Sequence, residues 1–207
     1  MIPTLKSLPL TKQHSLVVCL IAVLALLAYA LDEQVANSLV YQRELISHGQ
    51  IWRFFTGHFL HTNGVHLLLN LLALLFLWAL HGHFYSLKNY SVLFITSAVI
   101  CSTGLYYFSP DIHQYVGLSG ILHGIFIFGA IMDIRHHDKT GYLLLIGVWL
   151  KIAHEQFYGP SEDLSALINA NVAIDAHLWG AIAGLIFSVG YIVLIKDEKA
   201  ETSANAH

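Results

Sequence analysis

The segment VGLSGILHG, residues 116–124, sets Ser119 between glycines in a strongly apolar chain. A serine hydroxyl becomes a useful nucleophile when a base within hydrogen-bond reach takes its proton. His177 in AHLWGAIAG is the candidate base, and His66 and Asn70 in GVHLLLN are candidate donors to a developing oxyanion. His66 and Asn70 are four residues apart and share one helix face. His177, Gly180 and Gly184 share another, and their glycines admit a close neighbouring helix. If that neighbour carries Gly117, Ser119 and Gly120, the His177 ring reaches the Ser119 hydroxyl. Free backbone N–H groups at the start of the Ser119 helix would add donors, with about half a positive charge there. The chemistry expected from this set is acyl transfer.

The elements that must hold these groups are read from composition. With 56% hydrophobic and 11% charged residues in 207, against roughly 25% charged in an ordinary soluble domain, the chain is expected to have the lipid bilayer as its solvent. Six apolar segments near 15–31, 66–82, 90–108, 117–132, 141–157 and 175–195 approach the ~20 residues a spanning helix needs. The short alternating segments of a closed barrel do not occur. The fold class expected is an all-α membrane protein, a single six-transmembrane-helix bundle over 1–207 with a short N-terminal segment 1–14 and a polar tail 196–207.

Lys6, Lys12, Lys88, Arg135, Lys139, Lys196 and Lys199 fall on one side of this topology, and Arg43 and Arg53 on the other. The positive-inside rule then places both termini in the cytoplasm, with a bacterial inner membrane the expected location. The second, fourth and sixth spans all start at the outer face, so His66, Asn70, Ser119 and His177 lie at similar depth on the periplasmic side. Residues 32–65 read as short amphipathic helices on the outer interface. Cys19 and Cys101 read as small core residues. Ala28-Tyr29-Ala30 resembles a signal-peptidase site, but the apolar run before it is long for a signal core.

Together the HxxxN of His66 and Asn70, the GxSG of Gly117 to Gly120 and the AHxxGxxxG from Ala176 to Gly184 resemble the rhomboid family of intramembrane serine proteases. The resemblance covers all six spans, and Trp52-Arg53 resembles a Trp-Arg pair of the family's first outer loop. It implies a catalytic dyad of Ser119 and His177, with His66, Asn70 and the Ser119 backbone N–H as the oxyanion hole. One position departs from the commoner pattern, in which a Tyr follows the serine by four residues; here it is His123. GLSGILHG and HTNGVHLLLN resemble the rhombosortase subfamily. That resemblance implies membrane-anchored protein substrates with a C-terminal span: a Gly-Gly motif, one hydrophobic segment and a basic end. No cofactor, metal or nucleic acid is implied.

His123, one turn below Ser119 on the same face, is a candidate support for His177, by stacking, by a hydrogen bond to its second ring nitrogen, or as a packing residue in the Tyr position. No carboxylate is expected to complete a triad, since Asp175 points elsewhere on the His177 helix. Lys151 and Glu155, four apart in the fifth span, read as an intrahelical pair. With His154 they are the best support for a small-solute transporter, which the lack of matching interrupted spans in two halves disfavours. The clusters His58 and His61, His81 and His83, and His136 and His137 match no strong zinc spacing. A catalytically inactive rhomboid-like helix-binding protein is the nearer alternative, and the presence of both Ser119 and His177 argues against it.

Overall fold

The computed structural model describes residues 8–204, with side chains through residue 194. Lys6, the side chains of Lys196 and Lys199, and residues 205–207 lie outside it. In chain order the elements are α1 (Lys12–Ala30), α2 (Asp32–Leu39), β1 (Tyr41–Gln42), α3 (Arg43–Ser47), α4 (Arg53–Thr56), α5 (Gly64–His81) and α6 (Leu87–Phe108). They continue with β2 (Gln114–Tyr115), α7 (Ser119–Arg135), α8 (Thr140–Tyr158), α9 (Glu162–Ile168) and α10 (Ile174–Ala204).

Local chemistry sets several boundaries. Asn63 caps α5 by accepting the His66 N–H through its side chain at 2.8 Å. Ser86 and Asn89 cap α6 reciprocally, each side chain accepting the other's backbone N–H. α8 stops at Gly159, directly before Pro160. α10 continues as helix through Ala204, so the tail expected from residue 196 begins as an extension of the last helix.

α7 is the central helix, packed against α5, α6, α8 and α10. Its Ile121, Ile125 and Phe128 are fully buried and form the main core with Leu74 of α5 and Leu93 of α6. α1 adds Val18, Ile21 and Ala25 to the same core. The outward faces are apolar as well: Leu20 and Leu27 of α1, Leu72 and Phe76 of α5, Ile95 of α6 and Val189 of α10 are all exposed. Among the described residues four helical segments, Lys12–Ala30, Gly64–Phe84, Leu87–Phe108 and Ile174–Leu194, are long and apolar enough to cross a membrane. A bundle with an apolar core and an apolar exterior is an integral membrane protein. α7 and α8 occupy the positions of the fourth and fifth expected spans, as a 17-residue helix enclosed by the others and a helix carrying Lys151 and Glu155.

The structure departs from the sequence reading at two points in the fold and gives two arginines a further role. Tyr41–Gln42 and Gln114–Tyr115 form a two-residue antiparallel ribbon, so the connection before α5 is tied to the segment before α7 and the fold is not purely helical. Cys19 is exposed on α1 and is not a core residue; Cys101 is buried. Arg43 and Arg53, counted above as outer charges, act as cross-links. Arg43 donates to the carbonyls of Leu105, Tyr106, Ser109 and Ile112, satisfying the C-terminal end of α6. Arg53 is buried, and donates to the Asn37 and Val40 carbonyls and to the Gln50 side chain.

Candidate active site

Ser119 is the first residue of α7, where backbone N–H groups have no partner within the helix. The chain leading into it is held tightly. The Gly117 N–H donates to the Gly57 carbonyl at 3.3 Å, and the Tyr115 hydroxyl donates to the Gly117 carbonyl at 2.7 Å. Gly117 has φ +116°, a backbone conformation that side-chain-bearing residues rarely adopt, and a Cβ there would lie 2.8 Å from Cε1 and Nε2 of His66. Gly117, expected above at a helix-to-helix contact, therefore sits ahead of α7 as a turn residue against α5.

The contact between α7 and α10 is made by the other glycines. A Cβ on Gly180 would overlap the Gly120 carbonyl oxygen, and one on Gly184 would overlap that of Gly124. With the two backbones touching, Ser119 Oγ and His177 Nε2 stand 3.2 Å apart. His177 is 4% exposed, and its ring stacks on that of His123 with centroids 4.2 Å apart and planes 23° apart. His123 does not hydrogen-bond the second nitrogen of His177. Its Nδ1 lies 2.7 Å from the Ser119 carbonyl oxygen and its Nε2 lies 3.0 Å from Lys151 Nζ.

The second nitrogen of His177 meets a carboxylate. Nδ1 lies 2.9 Å from Glu155 Oε2 and 3.0 Å from Lys151 Nζ. The expectation that no carboxylate reaches His177 is thus corrected: α8 runs antiparallel to α10 and delivers Glu155 from its C-terminal half. Lys151 and Glu155 do pair, at 2.8 Å, but the pair faces the site and does not simply close on its own helix.

His66 and Asn70 of α5 are buried beside Gly117. His66 Nδ1 lies 3.4 Å from the Thr62 backbone nitrogen and 3.2 Å from the Thr62 hydroxyl oxygen, and the Nε2 edge of the ring lies against Gly117. Asn70 Nδ2 is buried without a hydrogen-bond partner among the described residues. A cavity of about 460 Å³ opens beside Ser119, lined by His61, His66, Tyr115, Ile168 and Asn171 among others. The Thr62 hydroxyl and Asn63 amide donate to the carbonyls of Ile168 and Leu167, tying the cavity's edge to α9. The sequence reading missed His61 here; its ring packs edge-on against His66 at 4.9 Å.

The other histidine clusters lie apart from this site. His81 reaches Asp133 at 3.1 Å, near the far end of α7. His58, buried ahead of α5, lies 3.0 Å from Ser102 Oγ, a second serine–histidine contact. Among the described residues no three His, Cys, Asp or Glu side chains are grouped to hold a metal ion.

These features define an integral membrane protein whose helix bundle encloses a serine–histidine cluster at one end. The Rhomboid domain family matches residues 48–194, from just before α4 into α10, and the chain belongs to that family. It is also 25% identical over 145 residues to the protein named "Putative rhomboid protease YdcA" of Bacillus subtilis (strain 168), a match covering 69% of this chain and 68% of that protein.

Proposed function

We propose that the protein is an intramembrane serine endopeptidase in which Ser119 is the nucleophile and His177 the general base. The observation that carries this reading is the 3.2 Å approach of Ser119 Oγ to His177 Nε2 at the edge of a cavity inside a membrane bundle. Ser119 Oγ attacks the scissile carbonyl as its proton passes to His177 Nε2, and His177 returns that proton to the leaving amine. The oxyanion is met by the Asn70 amide, unpartnered among the described residues, the His66 ring and the N–H groups opening α7. Water then cleaves the acyl-enzyme.

Substrates enter as single-span membrane proteins. An apolar groove of about 360 Å³, lined by Ala73 and Phe76 of α5, Leu122 and Phe126 of α7 and Val148 and Lys151 of α8, gives a helical span a place to dock. In the six-span arrangement the site opens to the periplasmic side of a bacterial inner membrane and both termini are cytoplasmic. The rhombosortase-like GLSGILHG and HTNGVHLLLN favour substrates with a C-terminal anchor preceded by Gly-Gly. Each Gly lowers helix stability by about 1 kcal/mol relative to Ala, so a Gly pair presents extended backbone to Ser119.

The test is co-expression with a reporter bearing a Gly-Gly motif, one span and a basic end. Wild type should release the reporter, whereas Ser119→Ala and His177→Ala should not, with both variants inserted at normal levels. Cleavage by either variant overturns the mechanism. Equal cleavage of a Leu-Leu reporter, or processing of N-terminally anchored reporters alone, overturns only the substrate class.

A further inference from the structure

Donor and acceptor counting around His177 goes beyond a two-residue mechanism. His123 Nδ1 faces the Ser119 carbonyl at 2.7 Å, and a carbonyl can only accept, so the neutral His123 ring carries its proton on Nδ1. Its Nε2 is then an acceptor, and Lys151 Nζ at 3.0 Å donates to it. The remaining Lys151 protons face Glu155, whose two carboxylate oxygens both lie 2.8 Å from Nζ. All three ammonium protons are thereby assigned, and none is left for His177 Nδ1, although Nζ is only 3.0 Å from it. Nδ1 must then donate to Glu155 Oε2 at 2.9 Å. That leaves Nε2 with a free lone pair facing Ser119 Oγ, the form a general base requires.

Resting on the assignment of Ser119 and His177 above, we propose that Glu155 is a positioning residue that holds His177 in its base-competent tautomer, and that His123 supports it by keeping Lys151 turned away from His177. Without Glu155, Lys151 becomes the only polar neighbour of Nδ1. It then donates to Nδ1 and drives the ring proton to Nε2, where it faces the nucleophile and blocks base catalysis. Lys151 is therefore an asset beside Glu155 and an inhibitor without it.

The experiment uses the full-length protein purified in detergent and the rate at which a fluorophosphonate probe labels Ser119, together with the melting temperature and ¹⁵N NMR of the His177 ring. Glu155→Met, which keeps length but removes the acceptor, should slow labelling at saturating probe on the order of 10²-fold or more without weakening probe binding. Glu155→Gln keeps an acceptor oxygen and should lose much less. The double variant Glu155→Met/Lys151→Met should recover roughly tenfold over Glu155→Met, the population shift governed by one charge-assisted hydrogen bond. Recovery is the outcome a merely structural role would not give, since removing both members of the pair should then be at least as harmful as removing one. The ¹⁵N shifts should show Nδ1–H in wild type and Nε2–H in Glu155→Met. Wild-type labelling by a folded Glu155→Met, or no recovery in the double variant, overturns the proposal. If Glu155→Met is unstable, Glu155→Gln labelling no faster than Ser119→Ala overturns it as well. Labelling that persists in Ser119→Ala overturns instead the function on which the proposal rests.

Discussion

Substituting Gly180 by alanine tests whether backbone contact between α7 and α10 sets the chemistry. The added Cβ would overlap the Gly120 carbonyl oxygen, and ordinary contact requires about 3.5 Å between such atoms, so the helices must separate locally by more than about 1 Å. His177 lies three residues before Gly180 and moves with it, while Ser119 adjoins Gly120. A 3.2 Å contact opened by that amount is no longer a hydrogen bond. A misplacement of about 1 Å commonly costs on the order of 10² in rate, and overpacking costs about 1–3 kcal/mol in stability. Gly180→Ala should therefore label with a fluorophosphonate roughly a hundredfold more slowly and melt at lower temperature. Gly190→Ala is the control on the same helix: nothing lies within 4 Å of its added Cβ, and replacing a helical Gly should slightly stabilise the protein. Wild-type labelling by Gly180→Ala would refute the idea that the glycine contact sets the Ser119–His177 distance.

Three further outcomes follow from other parts of the structure. Asn70 Nδ2 is a buried donor without a partner among the described residues, so Asn70→Leu should leave the melting temperature unchanged or raised, by up to about 1 kcal/mol of stability, while labelling and cleavage fall on the order of 10²–10³. Burial lowers the His58 pKa to about 4, and burial with the neighbouring His66 lowers that of His61 to about 3. Between those values and the ~6.5 of an unfolded histidine the unfolded chain binds more protons, so stability is complete above that range and falls as pH drops, by about 2 kcal/mol per histidine at pH 5 in thermal melts. Joining Phe76→Cys of α5 to Val148→Cys of α8 with a short bifunctional reagent, in a Cys19→Ser background, should block cleavage of a membrane-anchored reporter but spare fluorophosphonate labelling; loss of both would place the groove's role elsewhere.

The apolar runs that became α1, α5, α6, α7, α8 and α10 are plain in the sequence because lipid and core both demand apolar residues, and a long helix satisfies every backbone group by itself. The approach of Ser119 to His177 was also legible, because small residues at offsets of three and four mark a face where helices come close. Glu155 was hidden for a definite reason: its spacing to Lys151 explains it as an intrahelical pair, and only the antiparallel placement of α8 against α10 shows that the pair faces His177. A charged residue inside a candidate span is a functional group by default, and that rule was the available signal. Gly117 was misread because its neighbour Gly120 does lie at a helix contact, whereas the positive φ of Gly117 depends on a turn invisible to periodicity. The ribbon of Tyr41–Gln42 with Gln114–Tyr115, like the carbonyl-bound Arg43, joins segments some 70 residues apart and leaves no local pattern.

Ser102 and His58 provide a control within the same molecule. Their contact, at 3.0 Å, is shorter than the 3.2 Å between Ser119 and His177, so distance alone does not make a nucleophile. The Ser102 hydroxyl already donates to the Phe54 carbonyl at 2.7 Å, which commits its proton. His58 Nε2 also lies 3.2 Å from the Ala98 carbonyl, so that nitrogen carries a proton and acts toward Ser102 as a donor, not a base. Both residues are buried, whereas Ser119 is half-buried at the start of α7. At Ser119 the hydroxyl faces His177 Nε2 at the edge of an open cavity, although His177 itself is buried as His58 is. Ser102 should therefore carry no fluorophosphonate adduct in a mass-spectrometric map of the labelled protein. Ser102→Ala should reduce stability by about 1–2 kcal/mol, through the loss of its hydrogen bonds to Phe54 and His58, while Ser119 labels as before. An adduct on Ser102, or a folded Ser102→Ala protein that no longer labels, would show that access and proton placement are not what separate the two serines.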